Sequence, residues 1–288
     1  MPTPVTQALD DQAISAAIKA KETTSPGRYL VTAMLAGAYV GVAVVLLLAV
    51  TGPLNAVSSP WMKLVQGLVF GVALTLVVFA GSELSTGNMM TMVQGLARRK
   101  VGIAAAIVVI VFSFAGNLVG SVAFAWIVHA SGVLTAGATP GHAAPAAALL
   151  AGLIKTKTAE TAGQLFFRGV LCNFLVCLAV WTGARTRSDG AKLVLIFWCL
   201  LAFVASGFEH VVANMTTFSL GLFADTPGAT ISAFARNLLY VGLGNLVGGG
   251  LLVGASYALL GRRKPAESTE STDSSAAEAE PALAETPA

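Results

Sequence analysis

Two short stretches decide the reading of this chain: Gly81–Met89, GSELSTGNM, and Gly207–Met215, GFEHVVANM. Both follow the pattern Gly-x-Glu-x4-Asn-Met at an offset of 126 residues, and each interrupts a long apolar run with a glutamate. A second echo, GNLVG, occurs at 116–120 and again at 244–248, an offset of 128. Two independent matches at nearly one offset describe a duplicated unit. Around them the chain is 56% hydrophobic and only 11% charged over 288 residues, whereas a soluble domain carries about 25% charged residues. The apolar runs supply six spans, at about 29–50, 63–97, 101–129, 164–184, 192–220 and 232–260. Each offers the roughly 20 residues that an α-helix needs to cross the hydrocarbon core.

Three spans per copy is an odd number, so the second copy lies upside down relative to the first. This predicts an all-α membrane protein with a 3+3 inverted repeat, in which spans two and five are broken helices. Non-helical backbone at membrane depth is tolerated only where protein buries it or water reaches it.

Basic residues set the orientation. Lys19, Lys21 and Arg28 precede span one, Arg98, Arg99 and Lys100 join spans two and three, and Arg185, Arg187 and Lys192 join spans four and five. Arg262, Arg263 and Lys264 close span six, while the opposite loops, 51–61, 130–163 and 221–231, hold only Lys155 and Lys157. The positive-inside rule then places both termini in the cytoplasm. Residues 1–28 form a cytoplasmic segment whose apolar positions Val5, Leu9, Ala13, Ile14, Ala17 and Ile18 recur at helical spacing. It reads as a surface-lying amphipathic helix or as a soluble cap helix. Residues 29–260 form the transmembrane domain. Residues 261–288 are an acidic tail, with six of the chain's fourteen acids, predicted to be disordered. The remaining eight acids face seventeen basic residues, a cationic body suited to anions or to anionic lipid.

The ionisable residues deep in apolar spans are Glu83, Glu209 and His210. Each needs a partner or water, because a charge at the bilayer centre costs at least about 2.5 kcal/mol. The glutamates are expected to accept hydrogen bonds from N–H groups freed by the breaks. His210, matched by Leu84 in the first copy, is expected to face a pathway, with the Thr86 hydroxyl as its natural partner. Gly116, Gly120, Gly244 and Gly248 read as close helix contacts, and Asn117 and Asn245 as hydrogen-bonding ties between spans. Cys172, Cys177 and Cys199 fall inside apolar segments, which argues against disulfides, and no metal spacing is present. No cofactor motif, P-loop or nucleic-acid surface appears, and no cleaved signal peptide is read.

The strings FGVALTLVVFAGSELSTGNM (70–89), CNFLVCLAVW (172–181) and AKLVLIFWCLLAFVASGFEHVVANMT (191–216) resemble the formate/nitrite transporter family. GAYVG at 37–41 and the third string resemble its nitrite, NirC-like branch. The similarity runs from about Ala17 to Tyr257. It implies a homopentamer of aquaporin-like protomers in the bacterial inner membrane, passing nitrite, formate and similar anions, often with protons, and without enzymatic activity. By motif position, Thr86 and His210 resemble the pore centre, Phe70, Leu74 and Phe203 the outer constriction, and Leu84 with Val176 the inner one. Asn173 resembles a polar group lining the cytoplasmic side, and Lys21 and Lys157 resemble the basic residues of the two vestibules. Glu83 and Asn88, with Glu209 and Asn214, stand where the breaks are supported. Ser85 replaces the aromatic of ELFTG-like strings, which would loosen the inner constriction. Hydrosulfide, ammonium or a neutral solute are the alternative cargoes, although neither break carries the Asn-Pro-Ala of aquaporins. An intramembrane enzyme built on Glu209 and His210 lacks a second histidine, a metal cluster or a Ser/Lys dyad. In the expected mechanism the lysines gather anions, the half-helix ends add positive potential, and His210 donates a proton or acts electrostatically. The N-terminal helix would cover the cytoplasmic mouth and respond to pH.

Overall fold

A computed structural model describes residues 1–261; the acidic tail inferred from sequence therefore lies, except for Gly261, outside the described residues. Among those residues the chain forms twelve α-helices and no β-strand beyond an isolated bridge between Thr139 and His142. They are α1 (Val5–Glu22), α2 (Pro26–Ala56), α3 (Met62–Phe70), α4 (Val72–Phe79), α5 (Ser85–Ala97), α6 (Ile103–Ala130), α7 (Pro145–Ala159), α8 (Ala162–Ala184), α9 (Asp189–Ala205), α10 (Val211–Phe223), α11 (Ile231–Leu246) and α12 (Ser256–Leu260). Five stretches are long and apolar enough to cross a membrane: Pro26–Ala56, Met62–Phe79, Ile103–Ala130, Ala162–Ala184 and Ile231–Leu260. The broken pair α9–α10 is the counterpart in the second repeat of α4–α5, and α10 is a shorter apolar helix of 13 residues.

The breaks fall where the sequence placed them. Between α4 and α5, and again between α9 and α10, the chain leaves the helix at Gly81 (φ 76°) and Gly207 (φ 73°), in the left-handed region that favours glycine. The symmetry continues at the far ends of the half-helices. Arg99 (φ 55°) and Asp225 (φ 49°), 126 residues apart, are both left-handed helix ends without being glycine. α5 runs from the centre towards α1, where Gly95 meets Ala16, and α10 runs from the centre towards α7, where Gly221 meets Ile154. The two half-helices thus point their N-termini at each other across the middle of the protein.

The segment 130–163, read from sequence as a loop, contains α7. Pro145 starts it, in the position where a missing N–H costs nothing. Its buried face of Ala146, Leu149, Leu150 and Ile154 packs on α2 and α10. Fifteen residues are too few to span a bilayer, which is why hydropathy alone missed it. α7 precedes α8 as α1 precedes α2, so the duplicated unit is an interfacial helix followed by three spans. For α1 the structure buries Ala8, Leu9, Ala13 and Ala16. Ile14 and Ile18, assigned by periodicity to the apolar face, are half exposed at 51% and 53%. The small residues seat the helix and the isoleucines face outward.

The GNLVG echoes pack helix pairs backbone to backbone. A Cβ added at Gly120 would lie 1.9 Å from the Met34 carbonyl oxygen, and one at Gly244 would lie 2.1 Å from that of Phe166. Only glycine permits those approaches of α6 to α2 and α11 to α8. The last span is not α-helical throughout. Val247–Ala255, containing Gly248, Gly249 and Gly250, is a π-helix whose widened turns pass close to Asn173 and Cys177.

Two glycine classes should therefore respond differently. Gly81→Ala and Gly207→Ala meet open space and should cost only the left-handed strain, about 1–2 kcal/mol each. Gly120→Ala and Gly244→Ala must push two helices apart, and the unfolding midpoint in detergent should fall further for them than for the first pair.

Candidate functional site

Opening a helix inside the membrane frees backbone groups that lipid cannot bond. At the first break the Ser85 N–H donates to Asn117 Oδ1 at 2.9 Å, while Asn117 Nδ2 donates to the carbonyls of Ala33 and Glu83, both at 2.8 Å. At the second break the Val211 N–H donates to Asn245 Oδ1 at 2.9 Å, and Asn245 Nδ2 donates to Gly169 O at 2.8 Å and Glu209 O at 3.0 Å. Both asparagines are fully buried. The N–H of Glu83 is taken by Thr32 O and that of Glu209 by Arg168 O, each at 3.2 Å. The expectation that the glutamate side chains accept the freed N–H groups is therefore corrected. The asparagines of the GNLVG echoes do so, because they reach the break from the neighbouring span.

The glutamates instead anchor polar clusters. Glu83 accepts from Lys19 Nζ at 2.5 Å, from Asn88 Nδ2 at 2.9 Å and from the Tyr29 hydroxyl at 3.3 Å. Glu209 accepts from Lys157 Nζ at 2.7 and 2.6 Å and from Asn214 Nδ2 at 2.6 Å, and Asn214 also donates to Asn237 Oδ1 at 2.8 Å. Lys19 and Lys157 come from α1 and α7, so each interfacial helix reaches in to neutralise the carboxylate of its own repeat. The first-repeat lysine is Lys19, not Lys21. Two positions further along α1, Lys21 turns away from this cluster and is exposed. Sequence alignment of the two helices does not single it out, since Ile18–Lys21 matches Ile154–Lys157 at an offset of 136 and would pair Lys157 with Lys21.

Between the clusters lies the pathway. A cavity of about 440 Å³ opens at the α1 face, lined by Gln12, Ser15, Lys19, Glu22, Glu83 and Leu84 among others. One of about 420 Å³ opens at the α7 face, lined by Lys63, Lys157, Arg168, Phe203, Glu209 and His210 among others. A void of about 10 Å³, framed by Phe70, Leu74, Leu84, Val176, Phe203 and His210, separates them. That is space for about one water molecule. Phe70 and Phe203 close the α7 side edge to face, with ring centroids 5.7 Å apart. Leu74 and Leu84 reach both the void and the α1-face cavity, so Leu74 belongs with Leu84 rather than with the two phenylalanines. In this conformation the path is closed by apolar side chains from both sides.

The central polar groups sit at the void. His210 Nε2 lies 3.0 Å from Thr86 Oγ1, and His210 Nδ1 accepts the Ala213 N–H at 3.2 Å as the N-cap of α10. Because Nδ1 accepts, hydrogen-bond geometry assigns the ring proton to Nε2, which donates to Thr86. Thr86 stands in the first turn of α5, so both positive helix ends converge here. Asn173 lines none of the three axial cavities. It is fully buried and donates to Thr86 O at 3.1 Å and Asn245 O at 2.7 Å, tying α5 to α11. Ser85 is fully buried too, and its small side chain leaves the constriction to Leu84.

One ionic group of the site, an arginine near the start of the fourth apolar span, is not among the sequence candidates. Arg168 lines the α7-face cavity and pairs with the carboxylate of Glu160, whose backbone carbonyl accepts from Arg236 at 2.6 Å. Burial, reinforced by the nearby Glu209, pushes the Glu160 carboxyl above its ordinary range, against the pull of Arg168 and Lys157.

A family profile described as formate/nitrite transporter matches residues 10–259. The chain belongs to the formate/nitrite transporter family. It is 38% identical over 245 residues to the nitrite transporter NirC of Escherichia coli K12, covering 84% of this chain and 87% of that one. A solved FNT family ion channel superposes with a TM-score of 0.81 at 37% identity, covering 88% of this chain and 99% of the other. A pentameric formate channel with formate bound gives 0.71 at 29% identity, over 82% and 98%. The transporter's relatives are channels and transporters, not enzymes.

The clusters make a testable double cycle. Lys19→Met leaves the buried Glu83 carboxylate without its cation and should destabilise the transporter by about 3–5 kcal/mol. The double variant Lys19→Met/Glu83→Gln should recover most of that loss, read as the unfolding midpoint in detergent.

Proposed function

We propose that the chain is a channel for small monovalent anions, nitrite and formate first, working as a homopentamer in the bacterial inner membrane with the α1 face and both termini in the cytoplasm. The pentamer and the cargo rest on the similarity to the pentameric formate channel and to NirC, and the orientation on the placement of the basic loops. The observation that carries the reading is the single imidazole between two apolar closures, at the meeting point of two helix N-termini. An oxyanion of three or four heavy atoms that parts the phenylalanines and leucines loses its water. It then needs donors that cost no reorganisation. The Nε2–H of His210, the Thr86 hydroxyl and the two helix ends supply them.

The same geometry frames proton coupling. A second proton on the ring must go to Nδ1, where it meets the Ala213 N–H, so charging His210 requires the α10 cap to open. We infer that protons accompany the anion when this cap opens, and that the neutral ring otherwise serves as a hydrogen-bond donor. Lys19 and Lys157 remain at the vestibules as partners of Glu83 and Glu209, and α1, which lines the cytoplasmic mouth, is the element positioned to cover it.

Uptake of nitrite, formate, nitrate, hydrosulfide and ammonium into proteoliposomes at two pH values tests the cargo. Nitrite and formate should enter fastest, and faster uptake of ammonium or hydrosulfide would replace this reading with the cation or sulfide alternative. His210→Asn keeps an N-cap acceptor and an N–H donor but cannot titrate. It should pass nitrite without the accompanying proton flux, and proton-coupled uptake undiminished in this variant would remove His210 from the coupling.

A further inference from the structure

The two mouths are built from equivalent parts that differ in charge. Lys19 and Glu22 of α1 correspond to Lys157 and Glu160 of α7 at one offset, 138 residues. Thr32 corresponds to Arg168, since each supplies the carbonyl that takes the glutamate N–H at its break. At the α7 face Arg168 holds the Glu160 carboxylate. At the α1 face the matching position is Thr32, and no salt bridge among the described residues involves Glu22, which is exposed and lines the cavity. The helices that follow differ too. α3 opens with Lys63 on the α7-face cavity, whereas Asp189, 126 residues on at the start of α9, closes onto Lys192 at 3.1 Å and lines no axial cavity.

The charged residues lining the α7-face mouth are Lys63, Lys157, Arg168 and Glu209; with Glu160, which lies outside the cavity but neutralises Arg168, the net charge is +1. The α1-face mouth presents Lys19 against Glu22 and Glu83, a net charge of −1. The other basic residues of the α1 face, Lys21, Arg28 and those at 98–100 and 185–192, do not line its cavity.

We propose that the pore is electrostatically polarised: Lys63 at one mouth and Glu22 at the other make small anions enter more readily from the α7 face. The inference rests on the anion-channel reading and adds to it a preferred direction of entry. Along a path in water, one unit charge about 10 Å away changes local anion occupancy about twofold. The two-charge difference therefore predicts about two- to fourfold rectification at low salt, disappearing near molar ionic strength, where the Debye length is about 3 Å.

The test is the current–voltage relation of the full-length pentamer in planar bilayers with symmetrical sodium formate or nitrite. An antibody against an N-terminal tag marks the sidedness. Current carried by anions entering at the α7 face should exceed the reverse at low salt. Glu22→Gln and Lys63→Gln, both at exposed positions that leave the core untouched, should each remove about half of the asymmetry, and the double variant should give a straight line. Thr32→Arg, which gives Glu22 the partner that Glu160 already has, should act like Glu22→Gln. A straight line in the unmodified protein, or rectification unchanged in the double variant, would overturn this proposal alone. Absence of any formate or nitrite current would overturn the channel reading, and this proposal with it.

Discussion

Everything in this fold follows from opening two helices at membrane depth. Each opened end exposes N–H and C=O groups whose isolation in hydrocarbon costs several kcal/mol. Asn117 and Asn245 meet that demand, each accepting one N–H at the break and donating to one carbonyl at the break and one on the first span of its repeat. The side chain that satisfies the break lies on the next crossing of the same repeat, so the half-helix and its neighbouring span must fold against each other. The glycines flanking those asparagines serve the same end by removing the Cβ that would hold the helices apart.

Charge follows the same logic. A carboxylate at Glu83 or Glu209 would be untenable alone, and in both repeats its cation arrives from an interfacial helix that has little other reason to dip inward. α1 and α7 are therefore fixed by electrostatics as well as by their small apolar residues. A buried ion pair is a modest source of stability but a strict requirement on position. Here it locates the floor of each vestibule one step from the constriction.

Much of this was legible in the sequence, for physical reasons. Apolar length identifies crossings because the bilayer sets a minimum, and the repeated glutamate and glycine mark breaks because neither suits a continuous span. What stayed hidden depends on direction rather than composition. Lys19 and Lys21 are equally polar, and only the rotation of α1 decides which reaches Glu83. α7 is too short and too mildly apolar to register as an element. Asn173 sits in a motif that resembles a pore lining, yet its amide turns inward to two carbonyls. The asparagines of GNLVG were recognisable as ties between spans, but which atoms they tie could not be read from a string.

The pairing of His210 with Leu84 has a consequence for how such a pore can arise. Two identical halves meeting head to head would carry either a pair of imidazoles, crowding two titratable rings into one water-sized space, or a pair of isobutyl groups with nothing polar to offer an ion. A centre with one ring and one aliphatic chain requires two halves that are no longer identical, and carrying both on one chain fixes their pairing at one to one.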